Sequence, residues 1–327
     1  MRIDIHNHFA PAEYLEVLSG RQGYPNTVSN DEGWVLNVDP IQSYQLQPGM
    51  HRIEERIGDM DAAGIDTHVV SIICPAGETA KDPGLNVSLA QAANEGLARV
   101  VRENPQRFVG MGSLPLLDPE RAIEEASRAV NILGMRAFMV TSNVAGRMLD
   151  DEDLMPVYER VQELGVPIMI HPSWPTMASL EPLRDWRMVQ VLGFLYDTTL
   201  AMMRLILSGT MEQFPDLKII LCHCGSTIPY LMGRINRGAG IRGREWAGRA
   251  SGLPGDYFQR VYMDTVCYHP PAIMLAHGMS GPDKLLFGSD YPYGPMEPTV
   301  SDVEGLPIPE EERSAIFSGN TRALLKL

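Results

Sequence analysis

Cysteine is scarce. Four residues in 327, at Cys74, Cys222, Cys224 and Cys267, are too few for the cross-link framework that staples small secreted domains. Reduced thiols in a reducing compartment fit better. Positive charge is also short: Lys and Arg total 27 against 41 Asp and Glu, a formal net charge of -14. That balance opposes nonspecific nucleic-acid binding, because phosphate contacts need clustered cations. No apolar run approaches the roughly 18 residues of a membrane span. The first strand-like run begins within a few residues of Met1, leaving no room for a secretory leader. The expectation is a soluble, cytoplasmic protein without nucleic-acid or membrane partners. Also missing is a Gly-rich phosphate turn after the first apolar run, where His6-Asn7-His8 stands instead. This argues against a doubly wound nucleotide-binding sheet.

What is present is a rhythm. Eight apolar runs, at residues 2–6, 66–73, 107–113, 134–141, 166–171, 217–223, 260–265 and 284–289, alternate with helix-period segments such as 53–63, 85–104, 118–133 and 153–164. The alternation predicts a parallel sheet closed by crossover helices. Eight units predict an α/β fold, one (β/α)8 TIM barrel domain over 1–327, which a chain 44% apolar can fill. Asp118-Pro119-Glu120 supplies one start signal, a capping carboxylate before proline at the first helical position. Two intervals break the rhythm. Residues 9–52, rich in Gly, Pro, Asn, Gln and aromatics, are far longer than an ordinary βα connection and predict an insertion, a small hairpin or lid, over the mouth. Residues 172–186 carry Trp174 and Trp186 and are expected to wall a substrate pocket, which makes Trp174 a candidate substrate contact.

Barrel enzymes place their chemistry at the C-terminal strand ends. His6, His8, His171, His223 and Asp290 each fall in or just after such a run. Strand alternation puts His6 and His8, two apart, on one face, able to grip one ion together. A lone strand histidine is usually packed or hydrogen-bonded, but several at matched positions, joined by a carboxylate, predict one divalent cation. Imidazoles with a carboxylate suit zinc and also accept manganese or iron. The same alternation turns Cys222 and Cys224 away from the face of His223, toward the helices. His269, after the seventh run, stands at the right end of the barrel for substrate contact, with a local helix-start hydrogen bond as the competing reading. His51, His68 and His277 read as structural or surface residues, and the nineteen methionines as core filler.

The segments Asp4-Ile5-His6-Asn7-His8-Phe9, Ile170-His171-Pro172, Cys222-His223-Cys224-Gly225 and Gly288-Ser289-Asp290-Tyr291-Pro292, in this order, resemble the amidohydrolase superfamily. More narrowly they are similar to the branch containing aminocarboxymuconate-semialdehyde decarboxylase. The resemblance implies that His6, His8, His171 and Asp290 bind one divalent ion, zinc first and manganese second, with a water completing the shell. It implies His223 beside that water as general base, with Asp290 assisting catalysis. The physical reason holds independently: a divalent ion lowers the pKa of bound water from near 16 to roughly 7, within reach of a neutral imidazole. No lysine at a strand end suggests a bridging carbamate, so one metal is preferred. The resemblance further implies at least a homodimer. Arg234, eleven residues after His223, is similar to an arginine that reaches the neighbouring subunit's site and grips a substrate carboxylate bidentately. The branch's other carboxylate-binding arginine falls near Tyr44; Arg52 is close but out of register. The expected substrate is a small carboxylic acid. A carboxy-lyase acting on an unsaturated or aromatic acid is the primary reading. A hydrolase or hydratase of a lactone, C–C bond or conjugated dienoate is the alternative, and a non-catalytic metal-binding protein comes third, since an open coordination position beside an imidazole has little purpose in a closed structural site.

Overall fold

Strand alternation builds two cores in the computed structural model, which describes residues 1–31, 33–38, 43–73, 80–176, 180–183, 185–241 and 248–327; Cys74 lies outside them. On Ala137–Thr141 and Ile168–His171, Met139 and Met169 join Val69, Met111, Ile220 and Leu286 in one buried cluster, while Phe138, Val140, Ile168 and Ile170 join a second, larger one that includes helix residues. Methionine thus fills the inner cluster, as expected of an adaptable side chain.

Eight strands carry this pattern: β1 Ile3–Asp4, β2 Thr67–Ile72, β3 Phe108–Ser113, β4 Ala137–Thr141, β5 Ile168–His171, β6 Ile219–Leu221, β7 Tyr262–Asp264 and β8 Leu285–Leu286. They pair in chain order and every pairing is parallel. The ends meet through Ile5 N–H to the Phe287 carbonyl (2.9 Å), Asp290 N–H to the His6 carbonyl (2.8 Å) and His8 N–H to the Tyr291 carbonyl (2.8 Å). This is the expected (β/α)8 barrel. Its helices are α1 Ile53–Ala63, α2 Pro83–Glu103, α3 Pro119–Asn131, α4 Met155–Leu164, α5 Phe194–Leu207, α6 Ile228–Ile241, α7 Pro270–Ser280 and α8 Met296–Glu304. Asp118 caps α3, accepting from Arg121 N–H at 3.2 Å, with Pro119 next. Between β1 and α1 lie a short strand pairing with β2 (His8–Phe9), a helix (Ala12–Leu18) and a three-stranded antiparallel sheet, Asn26–Asn30, Gly33–Asn37 and Ser43–Gln45.

One expectation needs correction. The helical run Asp185–Leu207 is long and apolar enough to pass for a membrane span by length and composition, although no such run was expected. It includes α5, whose face with Ala201, Met202, Leu205 and Ile206 is buried in the barrel wall, and it carries a buried, hydrogen-bonded Asp197. Those are properties of a core helix.

Closure of the barrel depends on Asp4. Its buried carboxylate accepts from His6 N–H (3.0 Å), Ser289 N–H (3.2 Å) and the Ser289 hydroxyl. Burial pushes its pKa up to about 6, against the pull of the Ser289 hydroxyl and the His6 amide. Asp4→Ala leaves three buried donors without a partner and is expected to cost about 3 kcal/mol. Asp4→Asn keeps an acceptor for the two amides and is expected to cost less than about 1.5 kcal/mol. Urea unfolding midpoints of the two variants check the contrast.

Candidate metal centre

The N-terminal ligands arrive differently from simple alternation. The chain leaves β1 after Asp4 and resumes pairing at Asn7, which bridges Tyr291, and at His8, so His6 sits in a break where its carbonyl is taken by Asp290 N–H. Both imidazoles nevertheless converge, their ring centroids 5.2 Å apart and nearly perpendicular. His171 ends β5 on the inward face that it shares with Met169, and its ring stands 4.7 Å from that of His8. Asp290 follows β8 with a left-handed backbone, φ 62°. The ligating atoms of His6, His8, His171 and Asp290 all lie within 4.8 Å of one another.

Hydrogen bonds on the far side of each ring decide which nitrogen faces inward. His6 Nδ1 lies 2.6 Å from Asp264 Oδ2, His8 Nδ1 3.2 Å from the Ile72 carbonyl, and His171 Nδ1 3.0 Å from the Pro172 carbonyl. An oxygen acceptor at each Nδ1 holds the proton there and leaves the Nε2 lone pairs pointing at the centre. Two of them reach Asp290 Oδ1, His8 Nε2 at 3.0 Å and His6 Nε2 at 3.3 Å. The 3.3 Å approach of His6 Nε2 to Asp290 Oδ1 does not have hydrogen-bond geometry, so this buried nitrogen has no hydrogen-bond partner among the described residues, the signature of an atom open to a ligand rather than a satisfied core group. Three aligned imidazoles and one carboxylate fit a divalent metal ion.

The donor set perturbs its own titration, and a proton held on His6 is one that a bound cation would displace. Burial opposes charge on His6, yet Asp290 and Asp264 beside it carry its pKa up to about 10. Burial, then the neighbouring imidazoles, hold His171 well below its ordinary value, and burial lowers His8. Burial would raise Asp290, but His6, His223 and His8 around it hold its carboxyl well below the usual range. The side chains of His6 and His8 are fully buried, whereas those of His223 and Asp290 keep 15% and 14% of their surface. The opening therefore lies on their side.

His223 corrects a second expectation. β6 stops at Leu221, and His223 and Cys224 occupy a tight left-handed turn, φ 55° and 56°. The turn brings His223 Nε2 to 3.8 Å from Asp290 Oδ2. Because alternation has ended, Cys222 is not turned away: its Sγ lies 3.0 Å from His223 Nδ1. Cys224 does pack on a helix, its Sγ 3.7 Å from the Ala272 carbonyl of α7.

Arg52 is exposed ahead of α1 and lines a cleft with Ile57, Arg99, Glu103 and Asn104 that contains none of the ligands. Its neighbour in the helix, Arg56, is the fully buried one. Arg234 is exposed on α6, with no ion pair to any described residue. His269 is exposed, and its carbonyl rather than its ring starts α7, accepting from Ala272 N–H at 2.9 Å. Trp174 is half-buried, three residues beyond His171, its ring 6.4 Å from Phe194. His68 is buried on β2 against Arg56 and His277 pairs with Glu312 at 2.8 Å.

Sequence reasoning missed Asp264 and Arg56. Asp264 had a signal, a carboxylate ending an apolar strand run at the barrel mouth; Arg56, on an ordinary amphipathic helix, had none. Asp264 joins the two halves of the site, since Oδ2 holds His6 and Oδ1 accepts Cys224 N–H at 2.8 Å. Asp264→Asn would place an amide N–H against His6 Nδ1 and favour the tautomer protonated on Nε2. Divalent-ion affinity, measured by calorimetry, is expected to fall about 10- to 100-fold; unchanged affinity would contradict this role.

Comparison with known proteins gives a consistent picture. The family model described as amidohydrolase matches residues 3–327. A 2-amino-3-carboxymuconate-6-semialdehyde decarboxylase from Dictyostelium discoideum is 30% identical over 90% of this chain and 82% of its own. A 2-keto-4-carboxy-3-hexenedioate hydratase from Sphingobium is 31% identical over 74% of this chain and 72% of its own. The crystal structure of a dihydroxybenzoic acid decarboxylase from Polaromonas, with bound manganese and 2-nitroresorcinol, superposes with a TM-score of 0.85 at 29% identity, covering 100% of this chain and 97% of that one.

Proposed function

Because this chain belongs to the amidohydrolase family, on the branch of the carboxymuconate-semialdehyde decarboxylases, we propose that it is a metal-dependent decarboxylase of a small aromatic or unsaturated carboxylic acid. The observation that carries the reading is the convergence of His6, His8, His171 and Asp290, with His223 on the open side. Zinc is the ion we assign, on the preference of imidazole ligands, with manganese, bound in the Polaromonas enzyme, as its competitor; metal analysis of protein purified without added ions separates them.

A divalent ion held by these four residues would supply Lewis acidity, lowering the pKa of a water or substrate hydroxyl group beside it. His223 takes that proton at Nε2 and returns one to the substrate carbon that carries the carboxylate. The carbon–carbon bond then breaks, carbon dioxide departs, and the bonding electrons remain with the newly protonated carbon framework. Asp290 Oδ2, 3.8 Å from His223 Nε2, stabilises the protonated imidazole between the two transfers. His223→Ala is expected to lower turnover about 10²- to 10⁴-fold with metal content unchanged.

Arg234 is assigned to the carboxylate of a substrate in a neighbouring subunit. It is exposed, and it shares α6 with the exposed Tyr230. Trp186, Val191 and Leu192 are exposed on the run leading into α5 and Tyr196 in its first turn, and hydroxyl contacts Thr198–Ser226 (2.7 Å) and Thr199–Thr227 (2.8 Å) join α5 to the turn that opens α6. Exposed apolar surface on these joined segments, together with a guanidinium that has no ion pair among the described residues, suits a homodimer face. If Arg234 reaches across, mixing inactive Arg234→Ala and His223→Ala proteins restores activity through one intact hybrid site; no recovery after subunit exchange would contradict it.

Release of carbon dioxide from a panel of dihydroxybenzoates, vanillate-type acids and muconate semialdehydes tests the reaction, and a metal-loaded protein inert to all of them would refute it. The Sphingobium relative motivates hydration as the second reading. Gain of one water by a conjugated dienoate, with no carbon dioxide released, would select it.

A further inference from the structure

Asp197 is buried on α5, 1% exposed, yet no ligand, base or substrate-binding assignment uses it. Its carboxylate accepts four hydrogen bonds from two other segments. Oδ2 takes the Ser142 hydroxyl (2.5 Å) and Asn143 Nδ2 (2.7 Å), both just past β4; Oδ1 takes Thr176 N–H (2.9 Å) and the Thr176 hydroxyl (3.0 Å), in the loop past β5. The first two donors pass the connection on to the same loop. Ser142 Oγ accepts from Ser173 N–H at 3.0 Å, and Asn143 Nδ2 also donates to the Trp174 carbonyl at 2.8 Å. A single carboxylate therefore fixes residues 173, 174 and 176, the stretch that begins two residues after the ligand His171.

A carboxylate that only capped its own helix would bond within that helix. This one serves a loop at the C-terminal end of the barrel, and it holds backbone atoms on both sides of an aromatic side chain. We propose that Asp197 is a positioning residue for substrate: it sets the place of Trp174, and Trp174 forms the aromatic wall against which a planar acid stacks beside the metal centre. The assignment rests on the decarboxylase reading for the class of substrate, but not for the geometry. An isosteric amide cannot replace the carboxylate, because its NH2 group would face the NH2 of Asn143 or the N–H of Thr176, and donors do not pair with donors. The loop then loses one anchor while His171 keeps its own bond to the Pro172 carbonyl.

The test is Asp197→Asn in the metal-loaded protein, read in two ways. The first is a tryptophan-quenching titration with 3-nitrobenzoate, a planar carboxylate that needs no turnover, with Trp174→Phe identifying the signal. The second is the split between KM and kcat on whichever acid is decarboxylated. Displacing the wall is expected to weaken 3-nitrobenzoate binding and raise KM about tenfold or more, with metal content unchanged and kcat within about threefold. Asn143→Leu, which removes the bond to the Trp174 carbonyl and leaves the Thr176 bonds in place, is expected to reproduce the direction of both changes and stands in if Asp197→Asn does not fold. Unchanged binding and KM in a folded variant would overturn the proposal. So would quenching that persists in Trp174→Phe, or loss of metal and kcat with KM unaltered. Absence of carbon dioxide from every acid would sink the decarboxylase reading while leaving the quenching titration to judge Asp197.

Discussion

Asp290→Ala is expected to abolish metal binding and lower turnover by at least ~10³-fold, since a catalytic ion supplies several kcal/mol and each roughly 1.4 kcal/mol is a factor of ten. Two effects combine. Asp290 Oδ1 is the only carboxylate oxygen among the four candidate ligands, so the three remaining imidazoles would hold a cation without charge compensation. Its Oδ2 also faces His223, so the proposed base loses the group that stabilises its protonated form. Metal content by elemental analysis and turnover under saturating ion together check the prediction. Retained stoichiometric metal with intact turnover would remove Asp290 from both roles.

Arg56→Ala should produce the largest loss of stability, about 4 kcal/mol, the scale of deleting a large buried side chain and leaving its buried acceptors unsatisfied. The guanidinium is fully buried between α1 and the N-terminal ligand segment. Nε donates to the Gly49 carbonyl (2.9 Å), Nη1 to Asn7 Oδ1 (2.9 Å) and toward His68 Nδ1 (2.9 Å), and Nη2 to the His8 carbonyl. Its ring neighbours are Phe9 and Tyr291, 5.2 Å and 4.8 Å from the guanidinium carbon. Burial lowers its pKa to about 10, while Tyr291, Asp4 and Asp59 support the charge, so the group remains a cation at neutral pH. Gly49 belongs to the same arrangement, because any side chain there would run into the Tyr291 phenol. Lysine is not expected to substitute, since one ammonium cannot reproduce a planar fork that reaches four acceptors. Chemical unfolding of Arg56→Ala and Arg56→Lys checks both statements; a loss below about 1 kcal/mol in the alanine variant would contradict the account of how the His6–His8 segment is held.

The division between what the sequence reveals and what it hides follows the range of the interactions. The barrel is legible because each strand is a short buried run whose period is local, so β2, β3 and β5 appear within a residue or two of the apolar runs that announce them. The ligands are legible because barrel strands all point one way and their C-terminal ends gather at one rim. The His6–His8 break and the His223 turn are not. Both arise where the chain leaves the ladder to meet a distant segment, at Phe287 and Tyr291 in one case and at Asp264 in the other, and a two-residue period cannot register such a departure. Arg56 and Asp197 stay hidden for the same reason. Each reads locally as a polar residue on an otherwise ordinary helix, and only its long-range acceptors or donors give it a role.

One measurement addresses the central claim most directly: anomalous diffraction from crystals of the protein grown with manganese or zinc. A single peak is predicted within roughly 2.0–2.2 Å of His6 Nε2, His8 Nε2, His171 Nε2 and an Asp290 oxygen, with His223 beside it but outside bonding distance. A peak at any other group of side chains, or none in protein saturated with either ion, would contradict the account.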